Sequence, residues 1–197
     1  MGSIRKIIAE EYRFLRHGLG SAVPAERALY HELSRGMLKS TPSAIAANLI
    51  LAGLVAPLAC QRSGPHWFFL WWAGMFVVCV LRARVLKAAK SLSPADDGSH
   101  VKLCRWLILF SGLTGVLWGL LPPAVHWSPN EGDGLFVPFL AAGLPAGALA
   151  SSAYMMTSFL FFALPILGSL VFSLLCLQPA GWPILILITA CFVLFLA

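Results

Sequence analysis

Apolar residues fall along this chain in six blocks separated by short polar stretches, at about 42–60, 66–81, 103–121, 135–153, 158–177 and 183–197. A block of nineteen residues at helical rise reaches roughly 28 Å, close to the ~30 Å hydrocarbon core of a bilayer. The pattern predicts an all-α, polytopic integral membrane protein with six transmembrane helices. Residues 1–40 form a separate N-terminal segment ahead of the transmembrane domain at 41–197.

That first segment is polar on one side only. Between Ser3 and Arg16, Ile4, Ile7, Ile8, Tyr12 and Leu15 share one face at helical spacing, with Arg5, Lys6, Glu10, Arg13 and Arg16 mostly around the other. The spacing predicts an amphipathic helix, lying either on an anionic leaflet or against a partner or neighbouring subunit. Gly18, Gly20 and Pro24 end it, and a second helical stretch from Ala25 to Lys39 leads to the first span. Thr41 reads as a helix cap and Pro42 as the proline of a first turn. The second span opens with Trp67, Phe68, Phe69, Trp71 and Trp72, a composition expected of an interfacial aromatic belt. The third stops at Pro122-Pro123. Pro138, Pro145 and Pro165 lie inside the fourth and fifth.

Charge orients these spans. The stretch from Arg82 to Arg105 carries six of the fourteen Lys and Arg residues, and none follows in the last 92 positions. Basic residues beside membrane spans are held on the cytoplasmic side, so this loop and the N-terminal tail are both expected there, with both termini cytoplasmic. The flanks of the loop read as helical continuations of the second and third spans around a turn at Ser91–Ser99. The last block, Pro183 to Ala197, is 15 residues with no polar anchor, which predicts that the natural chain continues beyond Ala197.

Composition narrows the class further. With 59% apolar and 11% charged residues the chain departs from the ~25% charged usage of soluble domains. The net charge of +6 comes from the first 105 residues, where it flanks apolar spans, so it speaks for membrane orientation and not for nucleic-acid binding. No signal peptide is visible, and Lys6 stands where a myristoylation motif needs Ser or Thr. The five cysteines have no CxxC spacing and read as small packing residues, so no metal site and no cofactor is indicated.

Two GxxxG patterns stand out, Gly115 to Gly119 in the third span and Gly143 to Gly147 in the fourth. Small residues four apart let helix backbones approach closely. Packing within the chain is the plainer reading of both, dimerisation the second, and a ligand crevice beside Pro145 the third. His66-Trp67 and His126-Trp127 recur at two predicted outer ends, with Glu131 and Asp133 near the second. They read as interfacial polar residues or as a signal or ligand site; Trp118 and Pro145 join His66 and His126 as candidates for that site. Asn48, Ser111, Thr114 and Thr189 are the chief polar residues within spans, each suited to a hydrogen bond between helices. No ionisable residue lies near the middle of a span, which speaks against an ion-coupled carrier. Catalytic residues are not indicated, because no GxSxG, HExxH, Walker or kinase motif is present.

Taken in order, Arg27-Ala28-Leu29-Tyr30, Ala47-Asn48-Leu49-Ile50, Gly115-Val116-Leu117-Trp118-Gly119, Ala141-Ala142-Gly143 and Ala146-Gly147-Ala148 resemble the polytopic N-terminal sensor regions, MASE-like modules, of bacterial signalling proteins. The resemblance covers about Ala25 to Ala197. It implies a bacterial inner-membrane, multi-pass sensory and dimerisation module. Such a module passes a signal through the sixth helix to a diguanylate cyclase (GGDEF), phosphodiesterase (EAL) or histidine kinase domain beyond residue 197. Its implied partners are the lipid bilayer, a second copy of the chain, a cytoplasmic output domain or partner, and an unknown small ligand. The alternatives are a small transporter or facilitator with helices broken at its prolines, and a passive membrane anchor.

Overall fold

The computed structural model describes residues 24–63, 65–90, 97–124, 143–145, 148 and 155–176. Every one of these except Leu120 and Met155 is helical. The helices are α1 (Pro24–Ser63), α2 (Pro65–Lys90), α3 (Asp97–Gly119), the single turn α4 (Leu121–Ala124) and α5 (Met156–Cys176). The amphipathic stretch at 3–16, the sixth span and nearly all of the fourth lie outside the described residues.

Two buried clusters show how the helices run. One joins Met37 near the start of α1, Val101, Cys104, Leu107 and Ile108 near the start of α3, and Met155 just before α5, with Val85 near the end of α2 packed against it. The other joins Ala52 and Val55 late in α1, Phe68, Trp71 and Met75 early in α2, Trp118 at the end of α3, Leu121 at the start of α4, and Phe162, Ile166 and Leu170 along α5. The first cluster lies at the end of the bundle that carries the basic loop, here called the basic end, and the second toward the far end. Helix α2 therefore runs antiparallel to α1 and α3, whereas α3 and α5 run parallel. A parallel pair needs a connection that returns the chain to its starting end: Ala124 lies at the far end and Met155 at the basic end. Within the intervening stretch, Leu144 is buried in the far-end cluster.

The outward faces are as apolar as the inward ones. On α3, Trp106, Leu109, Leu113, Val116 and Leu120 form an exposed stripe at helical spacing, while Ser111 and Thr114 are buried on the opposite side. On α2, Phe69, Leu70, Phe76 and Val77 are exposed likewise. A helix apolar all round belongs in a hydrocarbon environment or deep in a large core, and a four-helix bundle has no large core. Among the described residues, four helices are long and apolar enough to cross a membrane, within Glu32–Pro57, Pro65–Ala89, Val101–Ala124 and Met156–Ser173. The chain is accordingly a helical membrane protein.

Three local expectations change. No helix starts at Thr41. Helix α1 runs unbroken through Pro42 and Pro57, and the buried Thr41 hydroxyl donates back to Met37 O at 2.8 Å instead of capping a new turn. The apolar stretch on either side supplies enough burial to carry the helix through a residue that lacks an N–H. The polar gap between the first two apolar blocks, Gln61–Pro65, is largely helical as well, since α1 continues to Ser63 and α2 begins at Pro65. The aromatic belt of α2 is split by helix rotation: Phe69 and Trp72 face outward, but Phe68 and Trp71 are buried.

Candidate functional site

The far-end cluster is built around the frayed end of α3. Pro122 and Pro123 have no N–H to donate, so the carbonyls of Trp118 and Gly119, four residues earlier, lose their helical partners. In an apolar surrounding such groups must find other donors. The Ser169 hydroxyl of α5 donates to Gly119 O. Two residues earlier, the Trp71 indole of α2 donates to Leu117 O at 2.6 Å, an oxygen that also accepts the Leu120 N–H at 3.3 Å. Ser169 thus meets one of the two carbonyls that the prolines open, and Trp71 meets the carbonyl just before them.

Trp118 ties in the fourth helix. Its side chain is 1% exposed, and its indole Nε1 donates to Asn48 Oδ1 of α1 at 2.7 Å. The other end of the Asn48 amide donates to Ala44 O at 2.8 Å, which orients the oxygen toward the indole. The Trp71 and Trp118 rings meet edge to face, centroids 5.4 Å apart at 76°. That arrangement sets the positive edge of one ring against the negative face of the other and adds about 0.5–1.5 kcal/mol beyond burial. Asn48, Trp71, Trp118 and Ser169 therefore link α1, α2, α3 and α5 at one level through neutral hydrogen bonds.

Below this level α3 and α5 pack backbone to backbone. A methyl group on Gly115 would overlap the Phe162 carbonyl, and one on Gly119 would lie 2.8 Å from Pro165 O. One on Gly112 would meet the Phe161 ring at 3.2 Å. Pro165 deprives the Phe161 carbonyl of its helical donor, so the glycine face of α3 lies along the stretch of α5 where proline interrupts the hydrogen-bond ladder. Closer to the basic end the Ser158 hydroxyl donates to Ser111 Oγ at 3.0 Å, and Ser111 donates to Leu107 O at 3.0 Å. Thr114 bonds within its own helix, to Phe110 O at 2.7 Å.

Of the residues singled out by sequence, Gly115, Gly119 and Trp118 come together at the α3–α5 interface. Pro145 is buried next to Leu144, a member of the same cluster. His66 is exposed at the start of α2. Gly143 is exposed, with open space where a side chain would point. Gly147, His126 and Thr189 lie outside the described residues. Among the described residues no three His, Cys, Asp or Glu side chains are grouped as a metal set; the free thiol of Cys60 packs against the far-end cluster, whose hydrogen bonds join neutral groups. Its chemistry is that of a sealed, hydrogen-bonded junction.

Two features escaped the sequence reading. Trp71 looks like a belt residue because its neighbours are aromatic, and only the α2 rotation turns it inward. Arg82, counted with the basic loop, is buried at 7% exposure near the basic end, and its Nε has no hydrogen-bond partner among the described residues. Comparison with protein-family models, with curated proteins and with solved structures finds no match to this chain.

Proposed function

We propose that the chain is a membrane-embedded sensory and dimerisation module of a bacterial signal-transduction protein, residing in the inner membrane with six spans and both termini cytoplasmic. It would deliver its signal through the sixth helix to an output domain that turns over cyclic-di-GMP or acts as a histidine kinase. The observation that carries this reading is the parallel α3–α5 pair, locked by Gly115 against Phe162 and Gly119 against Pro165. Its far-end terminus is held by the Asn48, Trp71 and Ser169 hydrogen bonds. A small change of packing around Trp118 moves a stiff pair as a unit and reaches the basic end without dissipating along a flexible segment. To act as a switch, the signal must bind two packings with different affinity.

The facilitator reading draws less support, because α5 runs as one helix through Pro165, without the unwound backbone that lines substrate paths in carriers.

The test is made in the native gene. Gly115→Val, with membrane insertion verified, is expected to change cellular cyclic-di-GMP or partner phosphorylation and to weaken dimer crosslinks. An output and crosslinking pattern identical to wild type would overturn the sensory reading, and solute flux in liposomes would favour the carrier. A reporter fused within Ser151–Ser158 is expected to report the cytoplasmic side; an external report would break the six-span topology.

A further inference from the structure

Arg82 stands in an energetically unusual place. Its guanidinium cannot be neutralised by losing a proton, and a buried cation is costly unless an opposing charge or hydrogen-bond acceptor meets it. Arg82 is 7% exposed, and its Nε has no acceptor among the described residues. No group of opposite charge meets it among the described side chains: the neighbour with an electrostatic effect on it is the neutral thiol of Cys79. The other ionisable side chains described at this end are the exposed Arg35, Lys39, Arg84, Lys87, Lys102 and Arg105, with Glu32 the one carboxylate. Seven cations at one end of the bundle, against one described carboxylate, favour an anion from outside the chain.

The level of Arg82 indicates which anion. On α2, the exposed surface changes from apolar to charged between Leu81 and Arg84; on α3 it changes between Trp106 and Arg105, with the exposed indole at the boundary. Apolar-to-basic transitions marked by an aromatic ring are where hydrocarbon meets headgroups. Arg82 lies on that boundary, eight residues or about 12 Å inside the end of α2 at Lys90. A headgroup phosphate occupies the same depth, offers several acceptor oxygens and suits the planar guanidinium fork.

We propose that the basic end of the bundle binds the phosphate of an anionic phospholipid headgroup, with Arg82 as its principal ligand and the surrounding Lys and Arg side chains as the field that draws it in. Basic recesses between membrane helices recognise headgroups in this way. The proposal does not depend on the sensory reading; it requires only that these helices lie in a bilayer.

The test is lipid retention. Purified protein reconstituted in nanodiscs of equimolar phosphatidylglycerol and phosphatidylcholine is released and weighed by native mass spectrometry with its bound lipids. Wild type is expected to retain phosphatidylglycerol over phosphatidylcholine by about tenfold: both carry the phosphate, but the choline ammonium offsets its charge, and the buried Arg82 cation favours the headgroup that stays anionic. Arg82→Gln should bring the ratio close to that of the mixture. Arg84→Gln with Lys87→Gln, which removes exposed charges only, should leave most of the preference. Arg82→Lys, which keeps the charge and loses the fork, should fall between. A wild-type ratio equal to the bulk mixture overturns the proposal whether or not any variant folds, and so does an Arg82→Gln ratio equal to that of wild type. A wild type without lipid preference that binds inorganic phosphate would assign the site to a soluble anion and likewise overturn it.

Discussion

Gly115 of α3 lies against the Phe162 carbonyl of α5 with no room for a methyl group between them. The obstacle is backbone, which cannot swing aside as a side-chain tip can. Gly115→Ala is therefore expected to destabilise the protein by about 1–3 kcal/mol, the usual cost of overpacking, and Gly119→Ala by a smaller amount in the same range. Gly53→Ala and Gly143→Ala meet open space and should stay within about 0.5 kcal/mol of wild type or gain slightly from helix propensity. Unfolding in a mixed-micelle denaturant series measures all four. A Gly115→Ala variant as stable as wild type would contradict the close approach.

The Asn48–Trp118 hydrogen bond predicts non-additive mutations. Asn48→Ala strands a buried indole N–H, and Trp118→Phe strands an amide oxygen, each at about 1–2 kcal/mol. The double variant should cost less than the sum by about 0.6 kcal/mol, with ~1.7 as the ceiling seen for hydrogen bonds between membrane helices. Strict additivity in the cycle would mean that the bond contributes nothing.

Donor direction makes the Ser111–Ser158 pair asymmetric. Ser158→Ala leaves Ser111 still donating to Leu107 O, so the loss should stay below about 1 kcal/mol. Ser111→Ala removes the acceptor of a hydroxyl that is itself buried and should cost more. Adding Ser158→Ala to Ser111→Ala should then recover part of the loss, because the stranded hydroxyl is gone. Stability measurements on the three variants decide it; equal single-variant costs would contradict the asymmetry, and a larger cost for Ser158→Ala would reverse the assigned donor.

Trp71→Phe keeps most of the ring and deletes the donor to Leu117 O. The remaining acceptor contact, from Leu120 N–H at 3.3 Å, is long. The expected result is a global loss of about 1 kcal/mol with a localised sign: amide exchange at Leu120 and Leu121 should accelerate more than at residues 105–112. Uniform acceleration along α3 would show that Trp71 acts by bulk alone.

Membrane character was legible in the residues because it is a property of composition along a line: long apolar runs bounded by charge require no knowledge of neighbours. The four described candidate spans fall on apolar blocks for that reason. Helix ends were less legible. Thr41-Pro42 has the chemistry of a helix start, yet in an apolar stretch the backbone gains more by continuing, with the threonine hydroxyl turned back to Met37 O.

By itself the sequence determined that this chain is a helical membrane protein, that its positive charge gathers at one end, and that glycines at 115 and 119 allow close helix contact. Tertiary structure alone decided which helix those glycines meet, that Trp71 turns inward to cap the end of α3, and that Arg82 is buried. The reason is geometric. Local pattern reports what each residue can do, whereas the rotation of each helix about its axis, set by packing with partners distant in the chain, selects the face that is used.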